Sequence, residues 1–359
     1  MDFNQIILYG MAFGVVLGGM DRMLGNRLGF GDKFEQGFQL LGPVALSMAG
    51  IICLAPLLSR ILAIAVVPLC RWMGMDPGIF GSILAIDMGG YQLAMDLCAD
   101  PALGAFSGII VAAVFGCTVV FTIPVGLAAI PAEQRPDFTR GILLGFGAMP
   151  AAIAVGGLVI GIDGSSILWN SLPVLLIALA LAAGVLLRPE AMMAFFRGFA
   201  ALIRGLATLG LTLAAAAHLT GVAIVEGMSP LTEAMETVCS ICIVMLGSMP
   251  LAELIQRVMK KPFGWLQSRT GLSGTCTTAL LLGMVSTTPA LALLSRMDRR
   301  NRTVCAAGLV CGAGVFGAHL AFTVGVQPGM TAALLAAKIT GMALGLLLAL
   351  TVTGREHEK

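Results

Sequence analysis

Long apolar runs separated by short clusters of charge set the pattern of this chain. Runs of about 20 residues, enough to cross a hydrocarbon layer as helices, fall at 3–20, 37–59, 103–130, 141–161, 167–187, 199–224, 235–256, 303–326 and 331–353. The pattern therefore predicts an all-α polytopic membrane protein with about nine crossings. The first run, ending at Met20, lacks a basic leader and is followed by Asp21-Arg22 where a signal peptide would carry small residues, so it reads as a retained span. Two further apolar stretches, 77–97 and 272–294, are broken midway, by Asp87-Met88-Gly89-Gly90 and by Ser286-Thr287-Thr288-Pro289. We read both as re-entrant hairpins, with 61–73 and 261–270 as interfacial connectors. If connector and interrupted stretch both cross, the count rises to about eleven or more crossings with the same parity.

The pattern also repeats. A shift of 197 residues lays Met48, Gly50, Leu54, Ala55, Arg60, Gly74 and Leu84 on Met245, Gly247, Leu251, Ala252, Arg257, Gly271 and Leu281, and superposes the two breaks. After four extra residues the match resumes, with Phe121-Thr122 on Phe322-Thr323. An internal duplication follows. It divides the chain into membrane repeat 1 (1–161), a linking helix with a cytoplasmic loop (162–198), membrane repeat 2 (199–354) and a cytoplasmic tail (355–359).

Loop charge says how the copies sit, because cytoplasmic loops collect Lys and Arg. The loop after the first interrupted stretch holds Asp96 and Asp100, whereas its counterpart holds Arg296, Arg299, Arg300 and Arg302. Before each copy the bias reverses, with Arg22, Arg27 and Lys33 against Glu226, Glu233 and Glu236. The copies are therefore expected to be inverted, with the N-terminus on the outer, periplasmic side. The C-terminus, with Arg355 and Lys359, is expected in the cytoplasm.

Composition agrees with lipid as the solvent: 58% of residues are hydrophobic, 11% are charged and mean hydropathy is +0.97, whereas soluble domains carry about a quarter charged residues. A net charge of +2 gives no reason to expect nucleic acid. The nine cysteines lie mostly in apolar stretches and read as core fillers. Cys239-Ser-Ile-Cys242 has no second pair to complete a metal site, so no metal is expected. No nucleotide-binding motif appears and no cofactor is expected. Neither HExxH nor GxSxG is present, which argues against an intramembrane enzyme.

Chemistry should sit at the two tips, where free helix ends and uncovered carbonyls can face a solute. Asp87 is the leading candidate, since a carboxylate in hydrocarbon needs a partner or a task. It reads either as the counter-charge of a cationic solute or as a cap on Gly89 or Gly90. Tyr91 lies beside it. At the second tip stand the hydroxyls of Ser286, Thr287 and Thr288. His319 occupies the repeat position of Thr118 and reads as a ligand or a satisfied interior histidine. Lys338, Glu35 and Glu236 are candidates for counter-charge or gating. A structural ion pair or a snorkelling side chain is the alternative for Lys338, and solvation for the two acids.

The runs Phe34-Glu35-Gln36-Gly37-Phe38, Asp87-Met88-Gly89-Gly90, Leu246 to Pro262 and Gly317-Ala318-His319-Leu320 resemble the ethanolamine permease family of bacterial ethanolamine-utilisation systems, over nearly the whole length. The resemblance implies uptake of ethanolamine across the inner membrane to feed an ammonia-lyase pathway. For such a solute our reading pairs the ammonium with Asp87 and sets the hydroxyl against Ser286 to Thr288. Two departures bear on substrate. The family carries Asn-Asn-Ile-Pro at the second tip, and an acid where this chain has Ala318. A related amine or amino alcohol is therefore an alternative substrate. A membrane sensor or scaffold, which would show no flux, is an alternative of another class. Nothing fixes the oligomeric state, and a homo-oligomer is compatible with the sequence.

Overall fold

A computed structural model describes residues 3–84 and 87–354, except for the side chains of Leu84 and Asp87. The tail 355–359 lies outside the described residues. The chain is helical, with no strand among the described residues.

The chain runs through α1 (Phe3–Met23), α2 (Phe30–Gln39), α3 (Leu41–Met73), α4 (Ile79–Leu84), a 3₁₀ turn at Asp87–Gly89, α5 (Gly90–Leu97) and α6 (Pro101–Ala105). It continues as π-helix at Phe106–Gly116 and Thr118–Thr122, then α7 (Ile123–Ala129) and α8 (Arg135–Val159). Helix α9 (Gly164–Leu187) follows. Its N-cap Asp163 accepts hydrogen bonds from Ser165 and Ser166, and these bonds hold its carboxyl below the usual carboxylate range. After it come α10 (Pro189–Thr220), α11 (Leu231–Thr270), α12 (Gly274–Gly283), α13 (Thr287–Leu293), α14 (Arg299–Gly312), α15 (Ala318–Val326) and α16 (Thr331–Gly354).

Among the described residues, eight helical segments are long and apolar enough to span. The eighth expected crossing, 303–326, is broken: α14 stops at Gly312, and Gly314 turns the chain with φ +69° before α15 begins. The connectors are not separate pieces, because α3 and α11 run on without interruption for 33 and 40 residues. At 1.5 Å per residue these reach roughly 50 and 60 Å, beyond a hydrocarbon core of about 30 Å.

Both interrupted stretches are hairpins. Arms of 6 to 10 residues, α4 with α5 and α12 with α13, are each too short to cross. In the first, Gly78 and Gly81 lie against Cys98 and Ala94, so entry and exit are side by side. The Asp76 carboxylate closes that base, accepting from the backbone of Gly78, Ala99 and Asp100 at 2.7, 2.9 and 3.0 Å. The Asp76 amide donates to Asn170 Oδ1 near the start of α9 at 2.7 Å. At the second base the Ser273 amide donates to Asn301 Oδ1 at 2.8 Å, and the buried Arg302 donates to Leu294 O and Asp137 Oδ2 at 3.1 and 2.7 Å. The two hairpins are thus anchored at opposite ends of α8, one beyond its C-terminus and one at its first turn.

Two helix pairs cross at glycine. Gly50 of α3 meets Ala207 and Gly210 of α10 backbone to backbone, and Gly247 of α11 meets Met11 and Gly14 of α1 in the same way. A methyl group at any of these four glycines would overlap a carbonyl oxygen of the facing helix. Such close crossings stabilise helix association where no water is available to drive it.

Candidate functional site

The first tip faces a cavity of ≈ 290 Å³ between α3, α5, α11 and α15. Met88, Gly89, Tyr91 and Gln92 form its hairpin side, and Glu236, Thr237 and Ser240 of α11 form the opposite wall. Gly90, buried, starts α5 behind them. Tyr91 is fixed edge-on against Phe322 (5.9 Å, 81°), with its hydroxyl donating to Gln327 Oε1 at 3.4 Å. Gln92 Nε2 donates to Asp96 Oδ1 at 2.9 Å. The Asp87 backbone belongs to the turn at the tip, but its side chain lies outside the described residues. Glu236 is exposed in the cavity wall, with no ion-pair partner among the described residues.

Beneath this cavity a narrow gap, too tight as it stands to hold a water molecule, is lined by Met88, Ala112, Ala113, His319, Phe322 and Thr323, among others. Met88 and Phe322 line both spaces and so form the partition between them. His319 is 4% exposed. The Thr323 hydroxyl is buried and makes no hydrogen bond among the described residues, and neither does that of Thr122. Behind the wall, the fully buried Lys338 donates from Nζ to Ala113 O at 2.7 Å. Ala113 belongs to the π-helical segment, whose looser winding is often found at functional sites.

The expected residues are thus only partly gathered. Gly89, Tyr91 and Glu236 share the cavity, and His319 lies one side-chain layer deeper, with Lys338 behind it. Ser286 and Thr288 are exposed, Thr287 is buried, and none of the three lines either space. The second tip is instead tied to the break in the eighth expected crossing: Gly314 N donates to Gly283 O and Phe316 N to Met284 O, both at 2.8 Å. It reaches the inner space only through residues 313–317, which lead into His319. Glu35 lies outside both spaces, bound by Arg22 at 3.3 Å and Gln39 at 3.1 Å.

Gln92, Thr237, Ser240, Phe322 and Thr323 were not marked by the apolar pattern. One signal was present. Glu233, Glu236, Thr237 and Ser240 recur at intervals of three and four residues, a polar stripe on one face of an otherwise apolar helix.

The family model for the ethanolamine utilisation protein EutH matches residues 3–352. The chain is 34% identical over its full length to the probable ethanolamine permease EutH of Listeria monocytogenes, covering 96% of that protein. It is 36% identical to the uncharacterised protein YxeR of Bacillus subtilis, over 95% of this chain and 92% of the relative. It is 30% identical to the probable ethanolamine permease EutH of Escherichia coli, over 99% and 97%. No solved structure matches.

Proposed function

Since the chain belongs to the EutH family of ethanolamine utilisation proteins, we propose that it takes up ethanolamine, as the ammonium ion, across the inner membrane. The observation that carries the reading is the polar cavity at the first tip, walled by Glu236, a carboxylate with no ion-pair partner among the described residues, and by the hydroxyls of Thr237 and Ser240. An acid and two hydroxyls within one small space suit a two-carbon amino alcohol. A solute that arrives charged must have that charge compensated before it leaves water.

In this reading Glu236 receives the ammonium at the mouth and Asp87 takes it at the tip. Displacement of Met88 and Phe322 then admits the solute to the inner space. There the Thr323 hydroxyl and His319 meet the substrate hydroxyl, the part that Ser286 to Thr288 were expected to play. Gly89 and Gly90 keep the tip open to the solute. Lys338, fixed on Ala113 O, supplies positive charge behind the inner space and favours onward movement of a cation. Anchoring of the two hairpins at opposite ends of α8, and the reciprocal glycine crossings, favour inverted copies that rock about this centre. Gathering of Arg299 and Arg302 on Asp137, beside Arg135 at the start of α8, favours a cytoplasmic location for that end.

The test is flux and equilibrium binding with purified protein and a panel of small amines. Ethanolamine binding should hold while the amine is charged and should weaken above about pH 10, near the reference value for an alkylammonium. Asp87→Asn should abolish flux with little change in thermal stability. Affinity that climbs with the neutral amine would refute the ammonium site, and absence of flux with any amine would favour a sensor.

A further inference from the structure

A second polar cavity, of ≈ 430 Å³, lies between α11 and α12 at the opposite end of the molecule from the first hairpin base. Helix α12 is held to α11 at two heights, by Gln256 Nε2 donating to Leu281 O at 3.1 Å and by the Thr277 hydroxyl donating to Gln267 Oε1 at 3.4 Å. The cavity opens between these ties. Its charged lining is Glu253, Arg257 and Lys260. Arg257 is committed: its Nε pairs with Glu253 at 2.9 Å, its Nη2 donates to Leu28 O at 2.8 Å, and its guanidinium lies 4.4 Å from the Phe30 ring centre. That pair cancels, and Lys260 remains as exposed positive charge without a partner among the described residues.

We propose that this cavity holds the phosphate of an anionic phospholipid, which clips the second hairpin to α11. Lys260 supplies the charge and the exposed Thr278 a hydroxyl, while Phe263 and Leu282 offer an apolar floor for the glycerol backbone and first methylenes. A lipid fits better than a soluble anion because the same stretch of α11 faces the bilayer. Val258 is 64% exposed, as a lipid-facing side chain would be, and Trp265, 62% exposed beneath Arg269 at 5.8 Å, is placed as an interfacial anchor. Basic pockets between membrane helices on the cytoplasmic side are established sites for anionic headgroups. The site is independent of the proposed solute route, so neither stands or falls with the other.

The experiment uses the purified full chain, with native mass spectrometry and thermal unfolding in the presence of phosphatidylglycerol, phosphatidylcholine or inorganic phosphate. Phosphatidylglycerol should give several-fold more retained adducts than phosphatidylcholine and raise the unfolding midpoint, with inorganic phosphate inert. Lys260→Gln should bring both readouts to the phosphatidylcholine level while leaving the lipid-free midpoint unchanged, and Thr278→Val should weaken them partially. Lys33→Gln, which removes a charge elsewhere, should change neither. Equal retention of the two lipids, equal loss in Lys33→Gln and Lys260→Gln, or a full shift from inorganic phosphate would each overturn the proposal.

Discussion

Replacing Glu236 by Gln keeps the size and hydrogen-bonding capacity of the residue and removes only its charge, so it isolates the electrostatic share of solute capture. Two unit charges about 4 Å apart attract by about 4 kcal/mol at an effective dielectric of about 20, and by about 1 kcal/mol in bulk water. Exposure decides between these limits. Glu236 is open to the cavity mouth, and exposed ion pairs contribute about 0.2–1 kcal/mol. The expected loss is therefore near 1 kcal/mol, roughly a five-fold rise in the dissociation constant. It should shrink as ionic strength rises from about 0.01 to about 0.15 M and the screening length falls from about 30 to about 8 Å. Isothermal titration with ethanolamine at both salt levels measures this directly. Glu35→Gln is the control: it makes the same charge change at a residue bound to Arg22 and Gln39 and outside the cavity. Unchanged affinity in Glu236→Gln at low salt, or an equal loss in Glu35→Gln, would refute the assignment of Glu236 to the site.

Three further outcomes are expected. Cysteine introduced at the exposed position Ala102 should be labelled only from the periplasm, and at the exposed position Arg296 only from the cytoplasm; labelling of both from one side would exclude inverted copies. Gly50→Leu should lower the unfolding midpoint, an overpacking loss of about 1–3 kcal/mol, because the new side chain meets the Ala207 carbonyl, whereas Gly42→Leu, with open space around it, should be tolerated. Lys338→Met removes the donor from the buried Ala113 carbonyl and should cost about 1–3 kcal/mol, read as a lower midpoint that Lys33→Met does not reproduce.

The sequence by itself determined the solvent, the approximate count of crossings and the positions of both hairpin tips. A bilayer imposes those constraints locally: each span must be apolar over a fixed length, and each break must be marked by residues that leave the helix, as at Asp87-Met88-Gly89-Gly90 and Ser286 to Pro289. The resemblance to the ethanolamine permeases was equally legible, because it rests on short contiguous runs. Tertiary structure decided which polar groups meet. Glu236 faces the first tip, while Ser286 and Thr288 face neither space; that depends on how α11 is rotated and on which surface each hairpin packs against. The break at 313–317 was hidden for the same reason. Its backbone is satisfied by Gly283 and Met284 from another element, so the apolar run needed no polar residues of its own to announce it. The partition formed by Met88 and Phe322, which are 234 positions apart in the chain, exists only because the fold brings distant helices to one centre, and hydrophobic periodicity carries no information about which helix will be the neighbour.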